Sequence, residues 1–368
     1  MAKIFYSLSG EGRGHATRVR GIVEQLRQEH EVVLFASSVA YDLLSAAYEN
    51  CGNVSVRRIP GLQFAYRGGR LDYFRSVCRS LPYLWRLPRL VRSMVEAIRE
   101  HQPDLAIVDF EPSLPRAAKK CGVPMVSFDH QHFLVVSDLS DLPTRLRWKA
   151  WAISLSVRMF CKGEKGTIVS SFFRPPLKQR WKDAVQIGVL LRPAILNAVP
   201  NVGEHVLVYL RRFGSSNVLD ALRQCGRPVR VYGLGRQPVD GNLEYFDVDE
   251  HGFVRDLAGC YALISNAGNQ LVGEALYLRK PMLALPEPGN FEQSVNAHFL
   301  RAGGGGDWAE CEQLDGPRLR RFLDAVPRLR EQIQHDGLNG NDDALEAIRR
   351  FLPQPALPRP SALVDSAA

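Results

Sequence analysis

The fold is indicated by the segment KIFYSLSGEGRGHATR, residues 3–18. Its first six residues are apolar enough for a buried strand, and glycines at positions 10, 12 and 14 permit a tight turn. A helix is predicted from Thr17 to Glu29, and a second strand from Glu31 to Ala36. A strand, a glycine-rich turn and a helix in this order are typical of a doubly wound α/β domain with a parallel sheet.

The same alternation of short apolar runs and helical stretches continues along the chain and restarts after a region rich in Pro and Asn. The chain is 368 residues long, which fits two domains of ordinary size. We therefore predict two Rossmann-like domains that face each other across a cleft. Their expected bounds are residues 1–188 for the first domain, 189–203 for a linker, 204–352 for the second domain and 353–368 for a disordered tail.

Composition excludes several other classes of protein. With 45% hydrophobic and 23% charged residues, the chain is neither disordered as a whole nor fibrous. No run reaches the roughly 18 apolar residues of a transmembrane helix. The 7 cysteines are scattered and none occurs in a CxxC pair, which argues against a zinc site or a disulfide framework. We expect a reduced, cytoplasmic compartment and no secretory signal peptide.

The net charge of +8 is concentrated in one segment. Residues 57–99 contain ten arginines and only two acidic residues, so this segment alone equals the whole excess. Such a local charge argues against a nucleic-acid-binding protein and for an anionic partner at one place. Apolar residues at positions 84, 87, 91, 94 and 98 predict an amphipathic helix, with the arginines at 86, 89, 92 and 99 off the apolar stripe.

Two interpretations of this basic segment remain open. Its arginines are either the solvated face of a helix that packs on the core, or a docking face for an anionic lipid or an anionic acceptor such as a polyprenyl phosphate. A second patch of the same character is RLRWKAW, residues 145–151. Peripheral membrane contact through residues 57–99 is therefore a prediction. Aromatic residues of this segment that suit an interface are Tyr66, Tyr73, Phe74, Tyr83 and Trp85.

The glycine-rich loop places a histidine where a doubly wound sheet binds ligands. The dinucleotide fingerprint GxGxxG would need glycine at position 15, which is His15. At the carboxyl end of the first strand, His15 is a candidate general base, and a structural histidine bonded to the loop is an equal alternative. Asp109, which ends the predicted strand Leu105–Asp109, would lie at the same edge and orient it. Alternatively, Asp109 caps the helix that follows.

Further polar residues are predicted at the same edge of the sheet, where successive strands end. Because parallel strands present their carboxyl ends together, these residues are expected to line one side of a cleft. A metal site built on Asp129 and the nearby histidines is only weakly indicated by their spacing, and no metal is predicted. The residues expected on this acceptor side are Gly12, Gly14, Glu111, Asp129, His130 and Gln131.

The most specific pattern lies in residues 265–306, SNAGNQLVGEALYLRKPMLALPEPGNFEQSVNAHFLRAGGGG. Residues 267–270 join a predicted strand to the start of a helix, where backbone N–H groups suit a diphosphate. Glu274 is placed to accept hydrogen bonds from two ribose hydroxyls, and Glu292-Gln293 open a later helix that can bind sugar hydroxyls. Taken singly, the residues at the helix starts can be explained as helix caps, and Glu292 as a solvated side chain. The occurrence of all these residues in this order favours a donor-binding site.

This ordered set resembles the donor-binding signature of GT-B glycosyltransferases. It is similar to that of the UDP-glycosyltransferases and of the enzyme that adds N-acetylglucosamine to the lipid-linked peptidoglycan precursor. The shared elements here are Gly268, Glu274-Ala275, Lys280-Pro281 and Glu292-Gln293. The loop GEGRGHATR resembles the first loop of the same families, whose GH pair carries the catalytic histidine. The overall layout is most similar to a group of poorly characterised prokaryotic glycosyltransferase-like proteins.

The resemblance implies catalysis by His15 with its ring oriented by Asp109, and a donor held mainly by the second domain. Plant-type members carry a histidine where Asn266 stands, a tryptophan where Asn269 stands and often an aspartate at Glu292, so the sugar and the base are left open. The residues implied for donor binding are Arg211, Gly214, Ser215, Asn266, Gly268, Asn269, Gln270, Glu274, Glu292 and Gln293.

The implied function is an inverting, metal-independent transfer of a sugar from a nucleotide-diphospho-sugar, such as a UDP- or dTDP-sugar, to a hydroxyl acceptor that is lipid-linked or anionic in one interpretation. No cofactor is expected, since the nucleotide sugar is a substrate. We interpret the string Asp247-Val248-Asp249 as a coincidence, because the fold in which DxD holds a metal lacks a GxGH loop. The alternatives are a nucleotide-sugar 2-epimerase of the same fold and a non-catalytic sugar-nucleotide-binding protein.

Overall fold

The computed structural model describes residues 1–10, 13–62, 65–67, 70–160, 162–210 and 216–353. These residues form two large parallel sheets with helices on both faces, as the sequence predicts. The strands of the first half are β1 Lys3–Leu8, β2 Glu31–Ala36, β3 Val54–Arg58, β4 Tyr66–Arg67, β5 Arg70–Leu71, β6 Leu105–Asp109, β7 Met125–Asp129, β8 Gly166–Ser170 and β9 Val185–Ile187. Its helices are α1 Arg13–Leu26, α2 Ser38–Tyr48, α3 Tyr73–His101, α4 Ser113–Cys121, α5 Phe133–Val136 and α6 Thr144–Phe160.

The second half repeats this architecture with fewer strands. Its strands are β10 Val206–Tyr209, β11 Val229–Tyr232, β12 Leu243–Phe246, β13 Ala262–Ser265, β14 Met282–Ala284 and β15 Gly306–Trp308. Its helices are α7 Pro193–Leu196, α8 Ser216–Arg223, α9 Glu250–Gly259, α10 Asn269–Tyr277, α11 Phe291–Ala302, α12 Gly316–Gln332 and α13 Asn341–Arg349.

The strand order of each sheet creates one place for a ligand. The first sheet runs β3-β2-β1-β6-β7-β8-β9, and the second runs β12-β11-β10-β13-β14-β15. In both, the order reverses beside the first strand of the half, between β1 and β6 and between β10 and β13. Open α/β sheets bind ligands in the crevice outside the carboxyl ends of the strands at such a reversal. The predicted loops after β1 and β13 both lie there.

The strand β1 is buried on both faces. Ile4, Tyr6 and Leu8 point into one core cluster, and Phe5 points into the other, which α3 and α4 cover. Successive side chains of a strand alternate between the faces of a sheet, so a strand covered on both sides must be apolar nearly throughout. This requirement explains the apolar run that first identified the fold.

The segment between the two sheets is tied to both of them. In the predicted linker 189–203, Leu190 packs into the core of the first sheet, and Leu191 packs into the core of the second. Helix α13, which lies inside the predicted second domain, packs Ala344 and Ile348 into the core of the first sheet. The domain bounds stay a prediction, and residues 354–368 of the predicted tail lie outside the described residues.

The basic segment 57–99 contains most of the long helix α3. Its predicted apolar stripe is buried at Val91, Met94 and Ile98, but Leu84 is exposed. Tyr83, predicted as an interface residue, is buried, whereas Trp85 is 84% exposed. The side chains at 66, 73 and 74 lie outside the description. Among the described helices, none has the length and apolarity needed to cross a bilayer.

Several elements differ from the prediction for identifiable reasons. Helix α1 begins at Arg13 rather than Thr17, because Gly14 is the one helix-breaking residue between these two positions and a helix tolerates a single glycine at a cost of about 1 kcal/mol. The strands β9 and β15 have three residues each and are too short for an alternating pattern. Helix α6 was not predicted, because apolar residues lie on two of its faces and obscure a single helical stripe.

Gly10 and Gly14 provide a test of the tight turn after β1. A Cβ on Gly10 would overlap the backbone of Ser37, whereas a Cβ on Gly14 would meet nothing within 4 Å. We expect Gly10→Ala to lower the free energy of unfolding by about 1–3 kcal/mol, as overpacking does. Gly14→Ala should change it by less than about 1 kcal/mol. Urea unfolding of both variants checks this, and equal losses would contradict the close contact between Gly10 and Ser37.

Candidate active site

The candidate site lies where β1 and β6 end side by side. Leu8 of β1 pairs with Asp109 of β6, and the backbone N–H of Ser9 donates to the Asp109 carbonyl at 2.9 Å. Helix α1 then places His15 in its first turn and Arg18 three residues later. Residues three apart share one face of a helix, so both side chains point toward Asp109.

His15 and Asp109 form the predicted pair. The Nδ1 atom of His15 lies 3.0 Å from Oδ1 of Asp109. The carboxylate is fully buried, while the His15 side chain is 15% exposed. An ionised carboxylate only accepts hydrogen bonds, so the contact with Asp109 favours the tautomer of His15 that has its proton on Nδ1 and its lone pair on Nε2. The described geometry therefore leaves His15 able to take a proton at Nε2.

Arg18 is a third member of this cluster that the sequence reasoning missed. Its Nε donates to Oδ2 of Asp109 at 3.1 Å, and its Nη2 donates to Oδ1 of the same carboxylate. Nη2 also lies 3.0 Å from Nδ1 of His15. The available signal was the spacing of three residues from His15 on a predicted helix. Two donors of one guanidinium thus hold the Asp109 carboxylate in a fixed plane.

The surrounding charges keep Asp109 ionised. Burial raises the pKa of Asp109, but the positive charge of Arg18 and the neighbouring His15 outweigh this effect and bring the pKa below its usual value. Burial and the nearby Asp109 carboxylate also hold the pKa of the Tyr6 phenol well above its usual range. Asp109 is therefore an ionised acceptor, and Tyr6 beside it stays neutral.

Glu111 does not line an open cleft but caps the helix α4. Its Oε1 accepts hydrogen bonds from Tyr83 Oη at 3.0 Å and from the Ser113 N–H at 2.9 Å. Its Oε2 accepts from the Leu114 N–H at 3.0 Å. The capping role considered for Asp109 is thus wrong for that residue and right for Glu111. The contacts of Glu111 therefore give its carboxylate a capping role in place of the predicted role in the cleft.

Asp129 forms a buried pair with a histidine that was not among the predicted site residues. Oδ2 of Asp129 lies 2.6 Å from Nδ1 of His132, and Oδ1 accepts from the His132 N–H at 2.8 Å. Ser127 Oγ lies 2.8 Å from the same Nδ1. Burial lowers the pKa of His132, but the Asp129 carboxylate outweighs it and raises the pKa. This pair fixes the turn after β7 rather than opening toward the cleft.

His130 and Gln131 reach across to the second half of the chain. His130 Nδ1 lies 3.2 Å from the Ser170 carbonyl, and its Nε2 lies 3.2 Å from Oδ1 of Asn296 on α11. Gln131 Nε2 donates to Oε2 of Glu292 at 3.2 Å. Burial lowers the pKa of His130. The structure therefore brings the predicted acceptor-side loop together with a predicted donor-binding residue.

Three predicted donor-binding residues take part in contacts with the first half and the linker. Asn269 accepts from the Phe172 N–H at 3.3 Å and donates to the Ser170 carbonyl at 3.1 Å. Gln270 Nε2 donates to the Leu190 carbonyl at 2.7 Å and to Glu274 Oε1 at 3.1 Å. All three side chains are buried. The donor-type loop is therefore part of the interface between the two sheets.

The other described donor candidates shape the loops around this interface. Asn266 Nδ2 donates to the Leu285 carbonyl at 2.9 Å, and Gln293 Oε1 accepts from the Glu287 N–H at 2.7 Å. Gly268 is the N-cap of α10, and no atom would meet a Cβ there within 4 Å. The space beside Gly268 is thus open at the start of a helix. Of the predicted residues, Gly12, Arg211, Gly214 and Ser215 lie outside the described ranges.

An arginine of the linker, which the sequence reasoning missed, completes the network around Glu274. Arg192 Nη2 lies 3.1 Å from Glu274 Oε2, and its Nη1 lies 3.4 Å from Oε1 of Glu250 on α9. Arg20 of α1 binds the other oxygen of Glu250 at 2.6 Å. Two cations and two carboxylates thus join α1, the linker, α9 and α10. Among the residues described, no three His, Cys, Asp or Glu side chains are grouped as metal ligands.

Removal of Arg18 should lower the stability of the fold, because the buried Asp109 charge then lacks its main compensating cation. Arg18→Met leaves that carboxylate without its cation, and we expect the free energy of unfolding at neutral pH to fall by about 3–5 kcal/mol. Arg27→Met, one residue beyond the end of the same helix, breaks a partly exposed pair with Glu24 at 2.8 Å and should cost less than about 1 kcal/mol. Urea unfolding measures both.

The pH dependence gives this prediction a second readout. The pKa of Asp109 is lower in the folded chain than in the unfolded chain, so its contribution is present above the unfolded pKa and is lost as pH falls through the folded pKa. The difference between the wild type and Arg18→Met should therefore shrink in acid. An equal cost for the Arg27 control, or a difference that does not change with pH, would contradict the assignment.

Comparison with known proteins gives the family and the fold of the chain. Residues 2–327 match the family model described as Glycosyl transferase family 1. A search of curated proteins gave no significant match. Among solved structures, a glycotransferase of kitacinnamycin has a TM-score of 0.67 and 16% identity, with 96% of this chain and 99% of that chain covered.

Two further solved structures share the fold at low sequence identity. MurG of Acinetobacter baumannii has a TM-score of 0.62 and 13% identity, with 95% of this chain and 100% of that chain covered. UGT89C1 of Arabidopsis thaliana, solved with quercetin, has a TM-score of 0.67 and 13% identity, with 95% and 99% covered. These similarities confirm the predicted GT-B fold of two Rossmann-like domains. Because the family match spans most of the chain, this protein belongs to glycosyl transferase family 1 and is a glycosyltransferase.

Proposed function

We propose that this glycosyltransferase moves a sugar from a nucleotide-diphospho-sugar to a hydroxyl acceptor with inversion and without a metal ion. The observation that carries the proposal is the His15–Asp109 pair, with Nδ1 and Oδ1 3.0 Å apart and the ring partly exposed at the strand ends. A histidine held in this tautomer has the lone pair that a general base needs.

In the proposed reaction, His15 Nε2 removes the proton of the acceptor hydroxyl. The acceptor oxygen then forms a bond to the anomeric carbon, while the bond from that carbon to the diphosphate oxygen breaks. The electron pair of the broken bond leaves with the nucleoside diphosphate, and Asp109 stabilises the imidazolium of His15. A single displacement with the base and the leaving group on opposite sides of the carbon inverts its configuration.

Donor binding is proposed for the second half of the chain. The N-terminus of α10 begins beside the open space at Gly268 and favours the negative charge of a diphosphate without a metal. Glu274 is buried, and its two oxygens bind Gln270 and Arg192. A carboxylate can accept about four hydrogen bonds, so its remaining lone pairs are proposed to accept from ribose hydroxyls. Two structures of the same fold, UGT89C1 and LpCGTa, were solved with UDP-L-rhamnose and UDP, which supports a UDP-sugar as the donor.

The acceptor is proposed to bind the first half of the chain, beside His15. Its anionic or lipid-linked character is supported by α3, where Trp85 projects into solvent between exposed arginines. The neighbouring Arg86, Arg89 and Arg92 are exposed, and no side-chain ion pair joins them to the described acidic residues. Peripheral contact of residues 57–99 with an anionic surface is therefore part of this proposal, as is a cytoplasmic location.

The base assignment is tested by replacing His15. His15→Ala should lower kcat for sugar transfer by about 10²–10⁴-fold, the usual contribution of a general base. His30→Ala is the matched control, because His30 lies beyond the opposite end of α1, beside Ala2. Steady-state transfer to a hydroxyl acceptor measures both. Unchanged turnover of His15→Ala, with donor binding intact, would contradict the role of His15.

The donor is identified by thermal shift with a panel of nucleotide sugars. Ligands that bind only the folded chain stabilise it by mass action, so a UDP- or dTDP-sugar should raise Tm, with about 2.7 kcal/mol expected at a hundred times Kd. We expect the shift and the transfer rate to survive EDTA. Loss of either on chelation would contradict metal independence.

The same experiments separate the two other functions. A 2-epimerase would exchange the C2 hydrogen of a UDP-sugar with solvent in the absence of an acceptor, and the proposed transferase would not. A non-catalytic binding protein would give the thermal shift without transfer or hydrolysis, and His15→Ala would change neither. Exchange at C2 would favour the epimerase over the proposed transferase, and binding without turnover would favour the non-catalytic binding protein.

A further inference from the structure

The helix α6 carries an apolar stripe that faces solvent. Trp148, Trp151, Leu155 and Met159 are spaced three or four residues apart, so they lie on one face of the helix. Their exposed fractions are 67%, 60%, 45% and 66%. The rings of Trp148 and Trp151 contact each other edge to face, with centroids 6.1 Å apart.

The opposite face of α6 is the one that packs on the protein. Ala150 and Val157 are buried, and Leu146 and Ile153 are partly buried against the same cluster. This cluster also contains residues of α5 and α11, so α6 is held firmly in place. Core packing therefore involves one side of α6, and the tryptophan stripe on the other side makes no contribution to the core. Large exposed apolar side chains in a row mark an interaction surface rather than ordinary surface composition.

Cations lie on both sides of the exposed stripe. By the helical repeat of about 100° per residue, Arg145 and Lys149 lie along one margin of the stripe, and Arg147 and Arg158 lie along the other. All four are exposed, and the helix contains no acidic residue. Tryptophan next to a leucine and a methionine, bordered by cations, is the arrangement of a helix that lies in the interface of a bilayer.

We propose that α6 docks on an anionic lipid surface, with the stripe Trp148–Met159 at the boundary between headgroups and acyl chains and the flanking cations at the headgroups. Tryptophan rings favour the headgroup level, and long cationic side chains extend to the phosphates while their stems stay in apolar surroundings. A lipid-docking helix would bring the enzyme to a membrane-borne acceptor, and this biological role rests on the proposed function. Lipid binding itself requires no nucleotide sugar.

Charge favours a lipid surface over a second copy of this chain. A dimer formed through this face would bring the four cations of each copy against the four of the other, with no acid on the helix to offset them. An anionic bilayer supplies the opposite charge over the whole length of the stripe. An acidic protein partner would also supply it, and the test separates that outcome.

The test is co-sedimentation of the full chain with vesicles. We expect binding to mixed phosphatidylglycerol–phosphatidylcholine vesicles, weak binding to phosphatidylcholine alone, and loss at high salt. Trp148→Glu/Leu155→Glu should weaken binding more than about tenfold, because it places two carboxylates in the inserted stripe. Val199→Glu/Val239→Glu is the matched control, since both valines are exposed outside α6 and the change in charge is the same.

The outcomes are distinguishable from those of the proposed function. If sugar transfer to a short soluble acceptor fails while stripe-dependent lipid binding persists, the proposed function falls and the docking surface stands. Equal vesicle binding by the stripe variant and the control would overturn the docking surface, even with full transferase activity. Absence of vesicle binding together with stripe-dependent dimers or a stripe-dependent complex with an acidic protein would also overturn it.

Discussion

One buried negative charge organises the first half of this glycosyltransferase. Asp109 ends β6 without exposure to solvent, and among the described side chains the guanidinium of Arg18 and the ring of His15 offset its desolvation. Because Arg18 occupies two acceptor positions, the carboxylate presents Oδ1 to His15 in one geometry. Gly10 after β1 contributes as well, since its lack of a Cβ allows the backbone to lie against Ser37.

The second constraint is the interface between the two sheets. Asn269, Gln270 and Glu274, whose pattern resembles a donor-binding motif, also bind the loop after β8 and the linker. Arg192 holds Glu274 from the linker, so a ligand that engages Glu274 acts on the contact that joins the halves. In the proposed function, donor binding at Glu274 and the relative placement of the two sheets are therefore expected to be coupled.

Much of this was predictable from sequence, and the remainder has physical reasons. Buried strands such as β1 are recognisable from local sequence patterns, so the fold was predicted. His15 and Asp109 each follow or end such a strand, so they were correctly predicted to be neighbours. Arg18 was missed because a buried arginine looks like a surface residue until its partner, far along the chain, is placed beside it. The capping contacts of Glu111 were not predicted, because a capping carboxylate and a cleft carboxylate look alike in sequence. Helix α6 was not predicted because it has apolar residues on both its buried and its exposed face, so its sequence does not show a single apolar stripe at helical spacing.

The claim on which the account depends is that Asp109 acts on catalysis through His15. A double-mutant cycle in kcat/KM tests it directly, with His15→Ala, Asp109→Asn and the double variant compared under saturating donor. Residues that act as one unit are strongly non-additive. We predict that Asp109→Asn lowers kcat/KM in the wild-type background and has no further effect once His15 is alanine. An equal loss in both backgrounds would show that Asp109 acts independently of His15 and would contradict the account.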